Sequence, residues 1–167
     1  MISYLERLRR EIEDAVGDAG PSDLARAPAG KWSSAQILEH LFLTYQGTNR
    51  GLIKCLEQGS PLATRATLKD RFATLLVVNL GYMPSGRNAP ERAMPRGMGP
   101  DEAQRAIAPA LQQMGSCLDD CERRFGSRRK IMDHLILGPL TAEEWRKFHW
   151  VHGRHHARQI RERMGKS

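Results

Sequence analysis

The sequence is poor in several features that would narrow its function. It holds three cysteines in 167 residues, Cys55, Cys117 and Cys121, an odd number without a repeated framework. That argues against a disulfide-built secreted domain and for reduced thiols in the cytoplasm. No apolar run approaches the ~20 residues that span a bilayer, and the most apolar stretch, 72–80, contains Thr74 and Asn79. The first residues, MISYLERLRREIED, alternate apolar and charged side chains and so lack the continuous apolar core of a secretory signal. A membrane partner is not expected. No β pattern of useful length, internal repeat or low-complexity tract occurs.

What is present suits one globular domain, 1–167, with 40% hydrophobic and 27% charged residues. The formal charge is +7, from 26 basic and 19 acidic residues, which by itself points toward nucleic acid or another anionic partner. The location of that charge changes the inference. Residues 1–120 carry 14 basic and 14 acidic side chains, whereas 121–167 carry 12 and 5, so the whole surplus lies in the C-terminal stretch. The same stretch holds five of the six histidines, His134, His149, His152, His155 and His156. A positive field around a histidine site accounts for the surplus at least as well as a DNA-binding face.

Apolar residues recur at helical spacing along most of the chain. Ile2, Leu5, Leu8, Ile12 and Val16 predict a first helix that stops near 17–21. Ser33 or Ser34 announces a second as N-cap, running to Gly59-Ser60-Pro61, and a third segment is expected over 68–80. Residues 81–100 hold four of the nine prolines and several glycines, a long loop of the kind that is usually functional or disordered. Pro100-Asp101-Glu102 opens a helix through Phe125, in which Pro109 is a candidate kink. Thr141 and Glu144 form a capping box that opens the last helix, through Met164. The expected fold is all-α: an antiparallel four-helix bundle with an additional short helix and a long Gly/Pro-rich loop.

The last helix carries the chemistry. Trp145, Phe148, His149, His152, His156 and Gln159 follow one another at three- and four-residue steps and form one stripe. His152 and His156 have the spacing that lets two imidazoles share a metal ion, a weak signal alone. His40 on the second helix lies beside the apolar positions Ile37 and Leu41, which turns its ring toward the interior. A satisfied core histidine explains His40 taken singly. Three interior histidines without an ion would each need a donor and an acceptor partner, and one ion satisfies all three.

Trp32-Ser33 with Gln36-Ile-Leu-Glu-His40, then His134-Leu-Ile-Leu-Gly-Pro-Leu-Thr-Ala-Glu-Glu-Trp145, then His152-Gly-Arg-His-His156-Ala-Arg-Gln159, resemble the DinB/YfiT-like superfamily of metal-dependent proteins. The match is closest to a branch known only as a domain of unknown function, and it spans most of the chain. The resemblance implies a four-helix bundle in which three histidines from two helices bind a divalent ion, nickel or zinc. By position His40 corresponds to the first ligand and His152 and His156 to the pair, while His155 lies off that face. One departure is Leu135, where members of this branch often carry proline. Some superfamily members are transferases or isomerases that use a low-molecular-weight thiol such as mycothiol, bacillithiol or glutathione.

Three neutral ligands leave a coordination position open, so an ion there could make a nucleophile of water or a thiol near neutral pH. His149 reads equally as a proton carrier or as packing beside Trp145 and Phe148, and Gln159 as a ligand-orienting amide or a plain helix-face residue. Cys117 and Cys121, four residues apart, could offer two thiols to a metal but more often are small buried hydrophobes. Arg123, Arg124, Arg128, Arg129 and Lys130 suit a helix C-terminus, and aromatic residues that would stack nucleic-acid bases are nearly absent among them. The leading expectation is a metal-assisted transferase or hydrolase acting on a small molecule. The alternatives are a structural metal bundle, often a homodimer, without turnover, and a nucleic-acid-associated protein using the basic region.

Overall fold

The computed structural model describes residues 2–83 and 89–165. Six α-helices account for most of it: α1 (Tyr4–Val16), α2 (Pro21–Ala25), α3 (Ser34–Gln58), α4 (Leu68–Thr74), α5 (Pro100–Phe125) and α6 (Ala142–Arg163). The four long ones share one core. α3 runs along α5 and α1 along α6, and further contacts of α1 with α5 and of α3 with α6 close the group. Leu8, Leu38, Leu41, Tyr45, Met114 and Leu118 are fully buried within it. No helix among the described residues is long and apolar enough to cross a membrane.

The helix ends follow from local chemistry. Ser33 Oγ accepts from the Gln36 N–H at 3.1 Å while the Gln36 carbonyl oxygen accepts from the Ser33 N–H at 2.9 Å, a reciprocal box that fixes where α3 begins. Thr141 and Glu144 make the same box at α6, and Lys130 adds an ion pair to Glu144 at 2.6 Å. Gly59 ends α3 in the left-handed region, φ 73°, where a glycine has no Cβ to clash. Pro109 lies inside α5 without ending it.

Three expectations need correction. The helix expected over 68–80 is α-helical only through Thr74 and then widens into a π-helix, Leu75–Asn79, which buries the adjacent pair Val77 and Val78 while Leu75 stays exposed. A strand pair does exist: β1 (Met132–His134) and β2 (Gly138–Leu140) pair antiparallel, with His134 opposite Gly138. Three-residue strands are too short to show an alternating pattern, so the sequence hid them. The short helix α2 was likewise not anticipated. Within the expected 81–100 loop, residues 84–88 lie outside the described residues, and Glu91–Ala93 form one turn of 3-10 helix.

Candidate metal centre

α3 and α6 bring His40, His152 and His156 together. One ring nitrogen from each lies within 4.8 Å of the others, and this is the one such group of potential ligands among the described residues. His152 Nε2 stands 3.4 Å from His40 Nε2 and 3.2 Å from His156 Nε2. Tetrahedral ligation at ~2.05 Å separates ligand nitrogens by about 3.3 Å, and the two spacings from His152 match it.

The opposite edges of two rings are tied down. His40 donates Nδ1–H to the Ala93 carbonyl at 2.8 Å, and His156 donates Nδ1–H to Gln159 Oε1 at 2.7 Å. Each bond sends a bare Nε2 lone pair toward the common centre. His152 stacks on Phe148, with centroids 5.5 Å apart, and its buried Nδ1 has no partner. Without an ion, a hydrogen on His152 Nε2 can be donated to only one of the two neighbouring Nε2 atoms at a time, whereas one cation answers all three. The donor set therefore fits a divalent metal.

Electrostatics keep the rings in the ligating form. Burial pushes His156 down to about 3, despite its bond to Gln159, and holds His152 well below the usual imidazole range, with His156 and His40 adding to the effect. Burial also lowers His40, although the Ala93 carbonyl opposes it. All three are neutral at physiological pH.

The supporting contacts start one residue from a ligand. The Glu39 carboxylate, buried beside His40, accepts from the backbone N–H groups of Arg96, Gly97 and Met98 at 2.7, 3.1 and 3.0 Å. That clamp fixes the chain leaving the 3-10 turn and so holds the Ala93 carbonyl against His40. Sequence reading missed Glu39, whose role depends on a loop 57 residues away in the chain. Gln159 also donates its amide to His155 Nε2 at 3.3 Å, which occupies His155 outside the trio. Replacing Gln159 with leucine should weaken zinc or nickel affinity about 10- to 100-fold, read by competition with a chromogenic chelator, while the fold by circular dichroism is unchanged.

His149 is placed in the core. It is fully buried between Trp145, Phe148 and Tyr45, its Nε2 lies 3.1 Å from Thr48 Oγ1, and it does not line the cleft above the trio. Burial, with a smaller contribution from His134, lowers its pKa to about 3. The unfolded ring protonates near 6.5, so between those values the unfolded state binds the extra proton and stability falls as pH drops. Above the unfolded value this contribution is complete and flat. Melting of chelator-treated protein should lose stability between pH 6.5 and 4 with a slope approaching about 1.4 kcal/mol per pH unit for each such histidine, and His149→Phe should remove one such share of it. An unchanged slope in the variant would contradict the assignment.

The cysteines and the basic cluster stand apart. Cys55, Cys117 and Cys121 are buried, and burial pushes the Cys121 thiol up to about 12, so these are protonated packing groups. Arg123 pairs with Asp120, Arg124 donates to the Leu56 carbonyl at the end of α3, and Lys130 pairs with Glu144, so much of the cluster's charge is occupied structurally.

Above the trio opens a cleft of about 1040 Å³, bordered by His40, His152 and His156 and by Phe148, Trp32 and His134. No curated protein and no solved structure matches this chain. The profile of a family described as a protein of unknown function, DUF1569, does match, over residues 21–163. That span runs from the start of α2 to the last residue of α6 and contains the whole histidine trio, and on this evidence the chain belongs to DUF1569.

Proposed function

We propose that this protein is a DinB-like metal-dependent enzyme in which His40, His152 and His156 hold a divalent ion, nickel or zinc, at the base of the cleft. In this reading α1, α3, α5 and α6 are the four helices of a DinB-like bundle, and the enzyme carries out a transfer or hydrolysis on a small molecule. The observation that supports it most is the convergence of three neutral Nε2 atoms, two of them aimed by hydrogen bonds on the far side of the ring. A closed structural site would complete its coordination with a fourth protein ligand, and no further His, Cys, Asp or Glu among the described residues joins this group.

A bound divalent ion would supply Lewis acidity, lowering the pKa of a water or low-molecular-weight thiol beside it and so providing a nucleophile near neutral pH. The chain's own residues do the rest. Ala93 and Gln159 hold two ligand rings in orientation, Phe148 covers one face of His152, and the cleft wall limits access to one side. With no carboxylate among the ligands, the site would keep the ion's full charge for an anionic partner such as a thiolate.

Elemental analysis of untagged protein tests the reading. About one divalent ion per chain is expected, lost on dialysis against a strong chelator with a fall in melting temperature. Metal-free protein that also refuses added zinc and nickel would overturn it. Consumption of a thiol by the loaded protein separates an enzyme from a structural metal bundle.

A further inference from the structure

A second set of donors faces the same cleft. His134, at the end of β1, lines it. Its Nδ1 accepts from the backbone N–H groups of Ile136 and Leu137, both at 3.2 Å, which leaves the ring hydrogen on Nε2. That Nε2–H meets no acceptor among the described residues and is not among the polar atoms sealed from solvent, so it opens to the cleft. The His134 ring packs on Phe148 with centroids 4.3 Å apart, and Phe148 in turn stacks on His152. The donor is therefore one ring removed from the histidine trio.

Arg92, on the 3-10 turn whose Ala93 carbonyl orients His40, lines the cleft as well. Its guanidinium has no hydrogen bond or ion pair among the described residues, and it lies near enough to His134 to add to the effect of burial on that ring. Burial first, then Arg92, bring the His134 pKa down to about 4, so the ring is a neutral donor at physiological pH. Lys31, Arg50 and Arg96 also border the cleft, as does Arg163, which is paired with Glu162 and bonded to the Trp32 carbonyl, against a single acidic lining residue, Asp133. Asp133 is occupied: its two oxygens accept from the Thr64 N–H at 3.0 Å and the Thr64 hydroxyl at 2.6 Å. A site with this balance favours an anion, and the apolar wall of Met132, Ile136 and Phe148 favours a carbon body attached to it.

We propose that Arg92 and the Nε2–H of His134 form an anion-binding subsite beside the histidine trio, and that the cleft takes a small carboxylate with an apolar body. A guanidinium fork and one ring N–H match the two oxygens of a carboxylate, with the apolar body laid against Phe148. The catalytic meaning of the subsite rests on the metal-site reading above, but the binding preference does not need the ion.

Calorimetric titration of hexanoate and of its neutral isostere hexanamide, into chelator-treated and zinc-loaded full-length protein, tests the subsite. Hexanoate should bind at least about tenfold tighter than hexanamide in both forms. Arg92→Gln and His134→Phe should each erase most of that preference, weakening hexanoate far more than hexanamide. His134→Phe also removes the acceptor for two hairpin amides, so Arg92→Gln, at an exposed position, gives the deciding result. No preference for the acid in the wild type, or a preference that survives Arg92→Gln, overturns the proposal. A preference seen only with zinc and indifferent to both substitutions also overturns it, because the ion would then be the anion's ligand. Hexanoate preference in a protein that takes up no zinc supports the subsite and defeats the metal reading, so the two fail separately.

Discussion

Replacing His152 with alanine is expected to reduce zinc or nickel affinity on the order of 10³-fold, with little loss of stability in the metal-free protein. Three protein ligands share a binding free energy of roughly 10 kcal/mol or more, so removing one forfeits several kcal/mol. No replacement is within reach, since His155 is held by Gln159 and His149 is sealed between aromatic rings. The ring removed carries a buried Nδ1 without a partner, so losing that polar atom offsets part of the packing lost against Phe148 in the metal-free protein. The measurement is the rise in melting temperature on adding zinc, which follows RT ln(1 + [L]/Kd). Wild type should show a large rise and the variant almost none. An equal rise in both would remove His152 from the site.

The second large effect is expected at the next residue. Gly153→Ala should destabilise the protein by about 2–3 kcal/mol, lowering the melting temperature by roughly 4–12 °C. In an exposed helix the same change would stabilise by up to about 1 kcal/mol. Here α1 closes on α6 so tightly that an added Cβ would overlap Leu8 Cδ1 and press on Leu8 Cδ2 and Cγ. Leu8 is fully buried, so its side chain cannot move aside into solvent. The pair should therefore be strongly non-additive: in the Gly153→Ala background, Leu8→Ala should cost much less than in wild type. Additive costs would show that the helices separate freely.

Much of this was legible in the sequence because it is local. A serine cap at Ser33 or Ser34, which the structure places at Ser33, and the capping box at Thr141/Glu144 mark where α3 and α6 begin, and from those starts helical periodicity places His40, His152 and His156 on inward stripes. His155, read as lying off the ligand face, stays outside the trio and bonds to Gln159. What escaped depends on contacts between distant segments. The β hairpin is too short to show a period, yet it delivers His134 to the cleft. Glu39 reads as one more helix acid until the 96–98 backbone is seen to donate to it. Arg92 lay in a stretch legible only as loop, and its 3-10 turn brings both its own charge and the Ala93 carbonyl to the site.

Trp32 ends up as a cross-brace between the two ligand-bearing helices. Its ring packs 5.3 Å from that of His40, two turns further along α3, while its carbonyl accepts from Arg163 Nε at the last residue of α6, at 2.9 Å. The cap at Ser33 then works as a ruler. At about 100° per residue, the seven positions from Ser33 to His40 bring the histidine back almost over the cap, on the side where the Trp32 ring meets it. Adding or deleting a single residue between them would rotate His40 by about a quarter turn and detach it from the brace, the Ala93 carbonyl and its two histidine partners together. The length of that one segment thus sets the aim of His40, and every contact the ring makes depends on it.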